Sequence, residues 1–397
     1  MSPSTKSIPS RLLSLDVMRG ITIAGMILVN NPGSWGSIYA PLRHAAWNGL
    51  TPTDLVFPFF MFIMGVSMFL SYKKFDFKFT KQTFIKLLRR LVLLFIIGLF
   101  LNWFSLFAHG MSVLRTENLP LIDKIWQSAT DFQNLRILGI LQRLALVSFF
   151  GSLIVLIFKH KRIPGIIGFI LILYWILLGA TDSYGLTESS IVTMIDRAVL
   201  GANHLYTEHL ADGTAIRFDP EGVVSTLPGI AHVLIGFMAG KLISETKENH
   251  QRIEKLFILG SVILFLGFLF DYGFPINKAL WSSSYVLVTC GLASLLLALL
   301  IWLIDIKGHK KWSVFFESFG VNPMFIYVVA SIFGTTLINT GFMHLDKWTT
   351  VKGYIFNEWL LPLFGDYFGS LVYALMFVGV SWLIGSMLYK RKIFIKL

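Results

Sequence analysis

The sequence has few charged residues. Asp, Glu, Lys and Arg make up 14% of its 397 residues, whereas they form roughly a quarter of a soluble domain. Cysteine is almost absent: Cys290 stands alone, so no intramolecular disulfide can form and the residue says nothing about redox compartment. Hydrophobic residues reach 55%, and a bilayer core takes about 20 helical residues. We therefore predict an all-α integral membrane protein, with residues 1–397 in a single domain around a central cavity.

Ten membrane spans are predicted from the apolar runs. They cover residues 15–38, 54–72, 90–108, 133–158, 163–180, 223–243, 256–272, 281–304, 317–340 and 367–389. With the N-terminus in the cytoplasm, 23 of the 34 Lys and Arg residues fall in cytoplasmic segments and 8 in the opposite ones. This asymmetry is the positive-inside pattern, so both termini are expected in the cytoplasm. The basic excess therefore follows topology, and the expected partner is the lipid bilayer rather than nucleic acid.

The sequence lacks features that are typical of transporters and of metal sites. No predicted span has a carboxylate at its middle, and no internal repeat is present. Because proton-coupled carriers use intramembrane acids and many transporters contain inverted repeats, a transporter or flippase of a glycan or lipid precursor is only the alternative hypothesis. Metal-ligand patterns are missing as well, since His204 and His209 have no neighbouring Cys and no HExxH motif.

The outward segments between spans are longer than the cytoplasmic ones. They are the turn 39–54 and the loops 109–132, 181–222 and 341–366. Long loops are usually functional or disordered. Here we expect them to cover an outward-facing cavity.

The first span carries a polar stripe. Asp16, Arg19 and Asn30 fall within roughly 60° of one helix face, with Arg19 near the cytoplasmic surface and Asn30 further out. The stripe is either an ion pair at the helix start with one buried amide, or the wall of a cavity that leads from the cytoplasm to His44.

Two arginines are expected within the fourth span. Arg136 and Arg143 are seven residues apart, which places them on one helix face beside Gln142. A guanidinium inside a membrane is costly and is usually paired or functional. An internal salt bridge and contact with an anionic ligand both remain open, and the planar fork of donors suits phosphate or carboxylate.

One histidine, His44, lies in a polar turn between the first two spans. Trp47 and Asn48 follow it, an aromatic and an amide of the kind that bind sugars. The sequence TPTD at 51–54 is typical of a helix start in which Asp54 closes a capping box. Asp54 is therefore either a cap or part of a site, and His44 is either a surface residue or a base that faces outward.

Several motifs resemble those of the transmembrane heparan-alpha-glucosaminide N-acetyltransferase family. They are LDVMRG at 15–20, VN at 29–30, HAAWNGLTPTDLVFP at 44–58, FIMG at 62–65, RILGILQR at 136–143, FDPEG at 218–222, AGK at 239–241, INKALWS at 276–282 and GVNP at 320–323. The set extends from about residue 11 to 330. The resemblance implies an enzyme that takes acetyl from cytosolic acetyl-CoA and delivers it across the membrane to the amine of a terminal glucosamine.

The resemblance also implies catalytic roles. His44 matches the family's active histidine, and Asn30 matches its Val-Asn motif. His44 would deprotonate the attacking ammonium or carry the acetyl group itself. Asn30 or Asn48 would polarise the thioester carbonyl, and Asp54 joins this catalytic group. Direct transfer in a ternary complex and an acetyl-histidine intermediate are both open.

Binding roles follow from the same resemblance. Arg19 and the basic inner rim would attract the phosphates of acetyl-CoA, the expected co-substrate. The further candidate contacts to acetyl-CoA are Arg136, Arg143 and Asn322. The candidate contacts to an amino-sugar or glycan acceptor are Trp47, Asp219, Glu221, Lys278 and Trp281. No metal is expected.

Short family members of this kind suggest a bacterial cytoplasmic membrane enzyme. His44 would then face the periplasm, and a homodimer is a family expectation. An O-acetyltransferase of envelope polysaccharide is a further alternative, because the outward loops at 109–132 and 181–217, on the acceptor side, carry no matching motif.

Overall fold

The structure, a computed structural model, describes residues 12–209 and 213–395. The expected cytoplasmic segment 1–11, loop residues 210–212 and the last residues 396–397 lie outside the described residues. The helices are α1 Leu13–Asn30, α2 Val56–Tyr72, α3 Lys81–Val113, α4 Leu121–Thr130, α5 Ile140–Ile157, α6 Ile163–Ala180, α7 Ile191–Leu200, α8 Thr226–Glu245, α9 Asn249–Asp271, α10 Ser283–Leu300, α11 Ser313–Val321, α12 Pro323–Asn339, α13 Val351–Tyr354, α14 Leu361–Phe364 and α15 Asp366–Lys390.

Two short antiparallel hairpins accompany these helices. One pairs β1 Thr207–His209 with β2 Ala215–Arg217, and the other pairs β3 Gly341–His344 with β4 Lys347–Thr350. Within the described residues, nine helices are long and apolar enough to cross a membrane, and α11 with α12 forms a tenth, bent span. The predicted all-α, multi-pass fold class is therefore confirmed.

Several predicted spans differ in their bounds from the observed helices, and three of the differences have a clear cause. α1 ends at Asn30 rather than near 38, because Asn31 precedes a proline and that position disfavours the helical conformation. α5 begins at Ile140 rather than 133, since the backbone before it bonds to the loop at His204 instead. The ninth span is bent by 87° between α11 and α12, where Asn322 precedes Pro323.

The helices form a buried centre and an exposed periphery. α2, α8 and α10 are largely enclosed by other helices, whereas α3, α6 and α9 are not. The peripheral helices present large apolar side chains outward, among them Ile96, Phe169 and Phe265. This arrangement suits a bundle whose outer surface contacts lipid tails.

The central pair, α2 and α8, is packed by glycine. A Cβ atom added at Gly236 would lie 2.2 Å from the Phe62 carbonyl oxygen, and one at Gly65 would lie 2.1 Å from the Val233 carbonyl oxygen. Small residues let membrane helices approach this closely and gain packing energy where no hydrophobic driving force acts between them. The contact fixes α2, which begins directly after the His44 turn.

The long loop 181–222 folds back over the bundle. Its described residues share a second apolar core with the ends of neighbouring elements. The members of this core are Tyr174, Leu178, Leu186, Val192, Ile216, Phe218, Val224, Phe274 and Leu280. Trp47 of the His44 turn packs against this core. The loop therefore covers the end of the bundle at which His44 lies.

Candidate active site

A cavity of about 370 Å³ opens at the His44 end of the bundle. Its polar lining comes from α1, the His44 turn and three outer loops. The polar and charged residues that line it include Asn30, His44, Asp54, Arg136, Glu208, Glu221 and Lys278. Most of the sequence-predicted catalytic residues are thus brought together around one space.

His44 is oriented by Asp54. The imidazole Nδ1 lies 2.6 Å from Asp54 Oδ1, and Asp54 is almost fully buried. The other oxygen, Oδ2, accepts from the backbone N–H groups of Ala45 at 3.0 Å and Thr51 at 3.1 Å. The predicted capping box between Thr51 and Asp54 is present. A carboxylate acceptor at Nδ1 favours the tautomer that is protonated there, which leaves Nε2 as the basic nitrogen of the ring.

Lys278 lies against the imidazole. Its Nζ is 3.0 Å from His44 Nδ1, 3.4 Å from Nε2 and 3.4 Å from Asp54 Oδ1. Burial lowers the pKa of Lys278, while the carboxylates of Asp54 and Glu221 oppose that effect. Lys278 and His44 therefore share the carboxylate of Asp54 in one cluster.

Asn48 holds the loop that carries Lys278. Its Oδ1 accepts from Asn277 Nδ2 at 3.1 Å, and the Gly49 N–H donates to the Ile276 carbonyl at 2.8 Å. Asn30, in contrast, ends α1 with an exposed side chain that lines the cavity. Of the two predicted carbonyl-polarising amides, Asn30 is therefore the one that faces the space next to His44.

Arg136 forms a buried ion-pair cluster on the same side. Its guanidinium donates to both oxygens of Asp219, at 2.6 and 2.9 Å, and to Glu221 at 2.5 Å. Although burial favours the neutral form, these carboxylates raise the pKa of Arg136 further above its usual range. Asp219 is fully buried, so Glu221 is the member of the pair that lines the cavity.

Arg143 does not share a helix face with Arg136, because Arg136 precedes α5. The Arg143 guanidinium is fully buried and donates to the Pro220 carbonyl at 2.8 Å and to the Ser225 hydroxyl. It also lies 5.1 Å from the centre of the Trp281 ring. Arg143 therefore holds the 219–222 turn in place at the His44 end, where it cannot meet a ligand at the Arg19 end.

The two predicted sugar-binding tryptophans occupy different environments. Trp47 lines the cavity, and its indole N–H donates to the Tyr184 carbonyl at 2.9 Å. Trp281 is only 1% exposed and packs edge-on against Phe57 and Tyr285. Trp47 thus faces the cavity, whereas Trp281 supports the floor of the site.

Two further cavities lie at the Arg19 end. One, of about 400 Å³, is lined by Arg19, Tyr72, Arg90 and Ile395 among others. The second, of about 750 Å³, shares Tyr72 and Arg90 with it. Lysine and arginine side chains line the second cavity: Lys78, Lys86, Arg89 and Arg90. This end is strongly basic.

Arg19 and Arg90 differ in their contacts. Arg19 donates to Asp16 at 2.9 Å and to Ser67 at 2.7 Å, so it joins α1 to α2. The Nε of Arg90 is buried and has no hydrogen-bond partner among the described residues. Asn322 lies beside this region at the bend, where it donates to the Ile393 carbonyl and accepts from the Ile395 N–H, each at 2.8 Å.

The cavities at the two ends are lined by residues of the same two helices, α2 and α5. Phe57 and Ile140 line the His44 cavity, whereas Phe60 and Leu144 line the Arg19 cavity. Residues three or four apart on a helix are one turn apart. A barrier about one helical turn thick, lined by apolar side chains, therefore separates the two spaces.

Two curated proteins are similar to the chain over nearly its whole length. Human heparan-alpha-glucosaminide N-acetyltransferase (Homo sapiens) is 28% identical over an alignment that covers 98% of this chain and 60% of the human protein. The mouse protein of the same name (Mus musculus) is also 28% identical, over 100% of this chain and 62% of its own length. The chain is a relative of these N-acetyltransferases. It spans about three fifths of their length, and no protein-family model matches it.

Two residues of the candidate site were not predicted from the sequence. Glu208 lines the cavity beside His44 from strand β1, but no motif includes it. Arg90 joins the two basic cavities, yet in sequence it is one of many cations on the basic face. Among the described residues, no three His, Cys, Asp or Glu side chains are grouped for a metal ion.

Proposed function

We propose that the protein is a membrane N-acetyltransferase. It takes acetyl from acetyl-CoA at the Arg19 end and delivers it to an amine at the His44 end. The single observation that carries the proposal is the His44–Asp54 pair in the outer cavity, with Nδ1 2.6 Å from Oδ1. A histidine whose Nδ1 is bound by a buried carboxylate presents Nε2 as a base or nucleophile. The similarity to the two N-acetyltransferases supports the same chemistry.

The orientation follows from charge. The cavities at the Arg19 end are lined by Lys78, Lys86, Arg89 and Arg90, and basic residues concentrate on the cytoplasmic side of membrane proteins. The Arg19 end then faces the cytoplasm, where acetyl-CoA is found. His44 faces outward, into the periplasm if the membrane is a bacterial cytoplasmic membrane. That membrane and the homodimer stay predictions.

Acetyl-CoA would bind with its phosphates in the basic cavities. Arg90 supplies a buried guanidinium whose Nε is unpartnered among the described residues, and Lys86 and Arg89 extend the basic surface. Arg136 and Arg143 are engaged at the opposite end, so Arg90 replaces them in the proposal. From Arg19 to Asn30 is roughly 16 Å along α1. The pantetheine arm would cross this distance past the apolar barrier and bring the thioester to His44.

At His44 two routes share the same groups. In direct transfer, Nε2 takes the proton of the attacking amine, the new C–N bond forms and the C–S bond breaks. In the covalent route, Nε2 first accepts the acetyl group and releases CoA thiol, and the amine then displaces the imidazole. The amide of Asn30 would donate to the carbonyl oxygen as negative charge develops there, a contribution that grows in the transition state.

The charges of the outer cavity favour a cationic acceptor. Glu221 and Glu208 both line it, while Arg136 neutralises one of the two carboxylates, Asp219 or Glu221, that it contacts. An amino sugar carries an ammonium that these acids attract, whereas a neutral sugar hydroxyl gains nothing from them. This balance favours N-acetylation over O-acetylation, with Trp47 as the surface for the sugar ring.

The test is acetyl transfer by the purified protein from radiolabelled acetyl-CoA to glucosamine and to heparan-derived ends. His44→Ala should lower the rate by about 10²–10⁴, the usual contribution of a general acid–base group. His109→Ala is the matched control, because His109 is exposed on α3 and does not line the outer cavity. Equal rates for wild type and His44→Ala would overturn the proposed role of His44.

Two further readings come from the same assay. Exchange of labelled CoA into acetyl-CoA without acceptor would favour the covalent route. Product that is cleaved by mild base would be an ester and would favour O-acetylation. Absence of any acetyl-CoA binding would contradict the acetyltransferase hypothesis and favour a transporter. A transporter is expected to show solute flux that His44→Ala does not change.

A further inference from the structure

Lys278 occupies the position that an attacking amine needs. Its Nζ lies 3.0 and 3.4 Å from the two ring nitrogens of His44, and a quarter of its side chain is exposed to the cavity. A lysine side chain is a primary amine, the same nucleophile as the amino group of the proposed acceptor. An acetyl group brought to His44 for transfer therefore meets Lys278 first.

We propose that Lys278 is a self-acetylation site of this protein, modified from acetyl-CoA through His44 when the acceptor is absent. The inference rests on the proposed function. The neutral amine attacks the acetyl carbonyl carbon, and a C–N bond forms as the bond to CoA sulfur, or to His44 Nε2, breaks. The proton lost by the amine passes through His44 to the leaving group, so the products are N-acetyl-Lys278 and CoA thiol. The amide is stable and blocks the site.

The surrounding charges control this reaction. Asp54 faces Lys278 at 3.4 Å, and the carboxylates of Glu221 and Glu208 act on it from the loop and from β1. All three favour the ammonium form, which cannot attack, whereas burial favours the neutral amine. Self-acetylation should therefore increase as pH rises and more Lys278 is neutral. A bound cationic acceptor would slow it by taking the acetyl group.

The acetylated protein would lose a cation beside His44. An amide at Lys278 can no longer form the ion pair with Asp54, and its added bulk would lie in the cavity that the acceptor enters. The expected result is a protein that stops transferring acetyl to external amines. Self-acetylation would then act as a shut-off when donor is abundant and acceptor is scarce.

The test incubates the full-length purified protein with labelled acetyl-CoA and locates the label by peptide mass spectrometry. Lys347 is the internal control, because it is an exposed lysine on β4 that is open to uncatalysed acetylation. We expect Lys278 to be labelled at least about tenfold faster than Lys347, as proximity to a catalytic group confers such gains. Labelling of Lys278 should be higher near pH 9 than near pH 7, should fall when glucosamine is added, and should be lost in His44→Ala.

Parallel measurement of acetyl-glucosamine distinguishes failure of the Lys278 self-acetylation proposal from failure of the proposed acetyltransferase function. Acetyl-glucosamine formed while Lys278 is labelled no faster than Lys347 would overturn the self-acetylation and leave the proposed function standing. Absence of both products would overturn both. Label on Lys278 that persists at the same rate in His44→Ala would overturn the route through His44.

Discussion

At the scale of single residues, Asp54 serves two purposes with its two oxygens. Oδ2 caps the start of the second span through Thr51 and Ala45, and Oδ1 holds His44. Cap and site are therefore the same group. A histidine in a turn gains the fixed orientation that catalysis needs because its partner belongs to the rigid end of a helix.

Asp54→Asn separates these two purposes. An amide cannot serve as the carboxylate acceptor at Nδ1, so the imidazole would lose its preferred tautomer and the acetyl-transfer rate should fall by about 10²–10⁴. The comparison is Thr51→Val, which removes a cap hydroxyl 2.9 Å from Asp54 Oδ2 but leaves the contact to His44 intact. Thr51→Val should cost about 1 kcal/mol of stability with activity within tenfold. Equal losses of activity in the two variants would contradict the orienting role.

The buried carboxyl of Asp196 should make the stability of the folded protein depend on pH. Burial raises its pKa to about 7 against the hydrogen bond from the Val223 N–H, and its Oδ2 has no partner among the described residues. The folded state therefore prefers the protonated carboxyl. Its contribution to stability is fully present below about pH 4, the unfolded pKa, and is lost as pH rises through about 7.

The measurement is the melting temperature in detergent between about pH 4 and pH 8. Asp196→Asn keeps an uncharged group of the same shape, so we expect its decline over this range to be smaller than that of wild type by several degrees. Asp123→Asn, at an exposed acid of α4, should follow wild type. A decline in Asp196→Asn as steep as that of wild type would disprove the assignment.

The residues of the site differ in how far sequence could identify them. His44, Asp54 and Asn30 belong to motifs, and the TPTD pattern also predicted the cap correctly. Lys278 could be named but its contact with His44 could not, because 233 residues of intervening chain leave no local signal. Glu208 and Arg90 had no signal, since an acid in a loop and a cation at a span end are each common.

At the scale of elements, the α2–α8 contact depends on glycine. Gly236→Ala would place a methyl group 2.2 Å from the Phe62 carbonyl oxygen, and that backbone atom cannot rotate away. We expect the helices to be forced apart at a cost of about 1–3 kcal/mol, measured by thermal unfolding in detergent.

Gly379→Ala is the matched control for this contact. Gly379 lies within α15, where an added Cβ has no neighbour within 4 Å. Because alanine favours the helix over glycine, this variant should be neutral or slightly stabilised. A Gly236→Ala protein as stable as Gly379→Ala would show that α2 and α8 can separate freely.

The spans could be predicted from the sequence, but the exact ends and bends of the helices could not. Hydropathy identified every span, since about 20 apolar residues are hard to miss. It could not identify the start of α5 at Ile140, because Leu135, Ile137 and Leu138 before it are apolar but this stretch bonds to a distant loop. Pro323 disfavours a straight helix at Asn322, but the angle of 87° depends on the packing of α11 against α1 and α15, which sequence does not show.

At the scale of the whole molecule, the two ends have different charge. The His44 cavity contains Glu208 and Glu221, and the larger cavity at the Arg19 end is lined by four lysines and arginines. Under the proposed function, each substrate would be attracted to its own side, and the apolar barrier would keep the polyanion and the amine apart.

Arg90→Ala tests this division. Loss of a buried guanidinium should raise the KM for acetyl-CoA about tenfold or more, the usual worth of a hydrogen bond to a charged group, with a small effect on kcat. Lys74→Ala removes the same charge from an exposed position that does not line these cavities. Its KM therefore reports only the general electrostatic attraction of the basic surface for acetyl-CoA. A KM that rises equally in both variants would refute a specific phosphate contact at Arg90.

The final described residues of the chain bear on how the protein is handled. Asn322 ties Ile393 and Ile395 to the bend between α11 and α12, and Ile395 forms part of the wall of the cavity that contains Arg19 and Arg90. A purification tag joined close after Ile395 would begin beside that wall. Tagged and untagged preparations should therefore be compared before any donor affinity is attributed to the protein itself, and an engineered fluorophore at the same place would report donor entry directly.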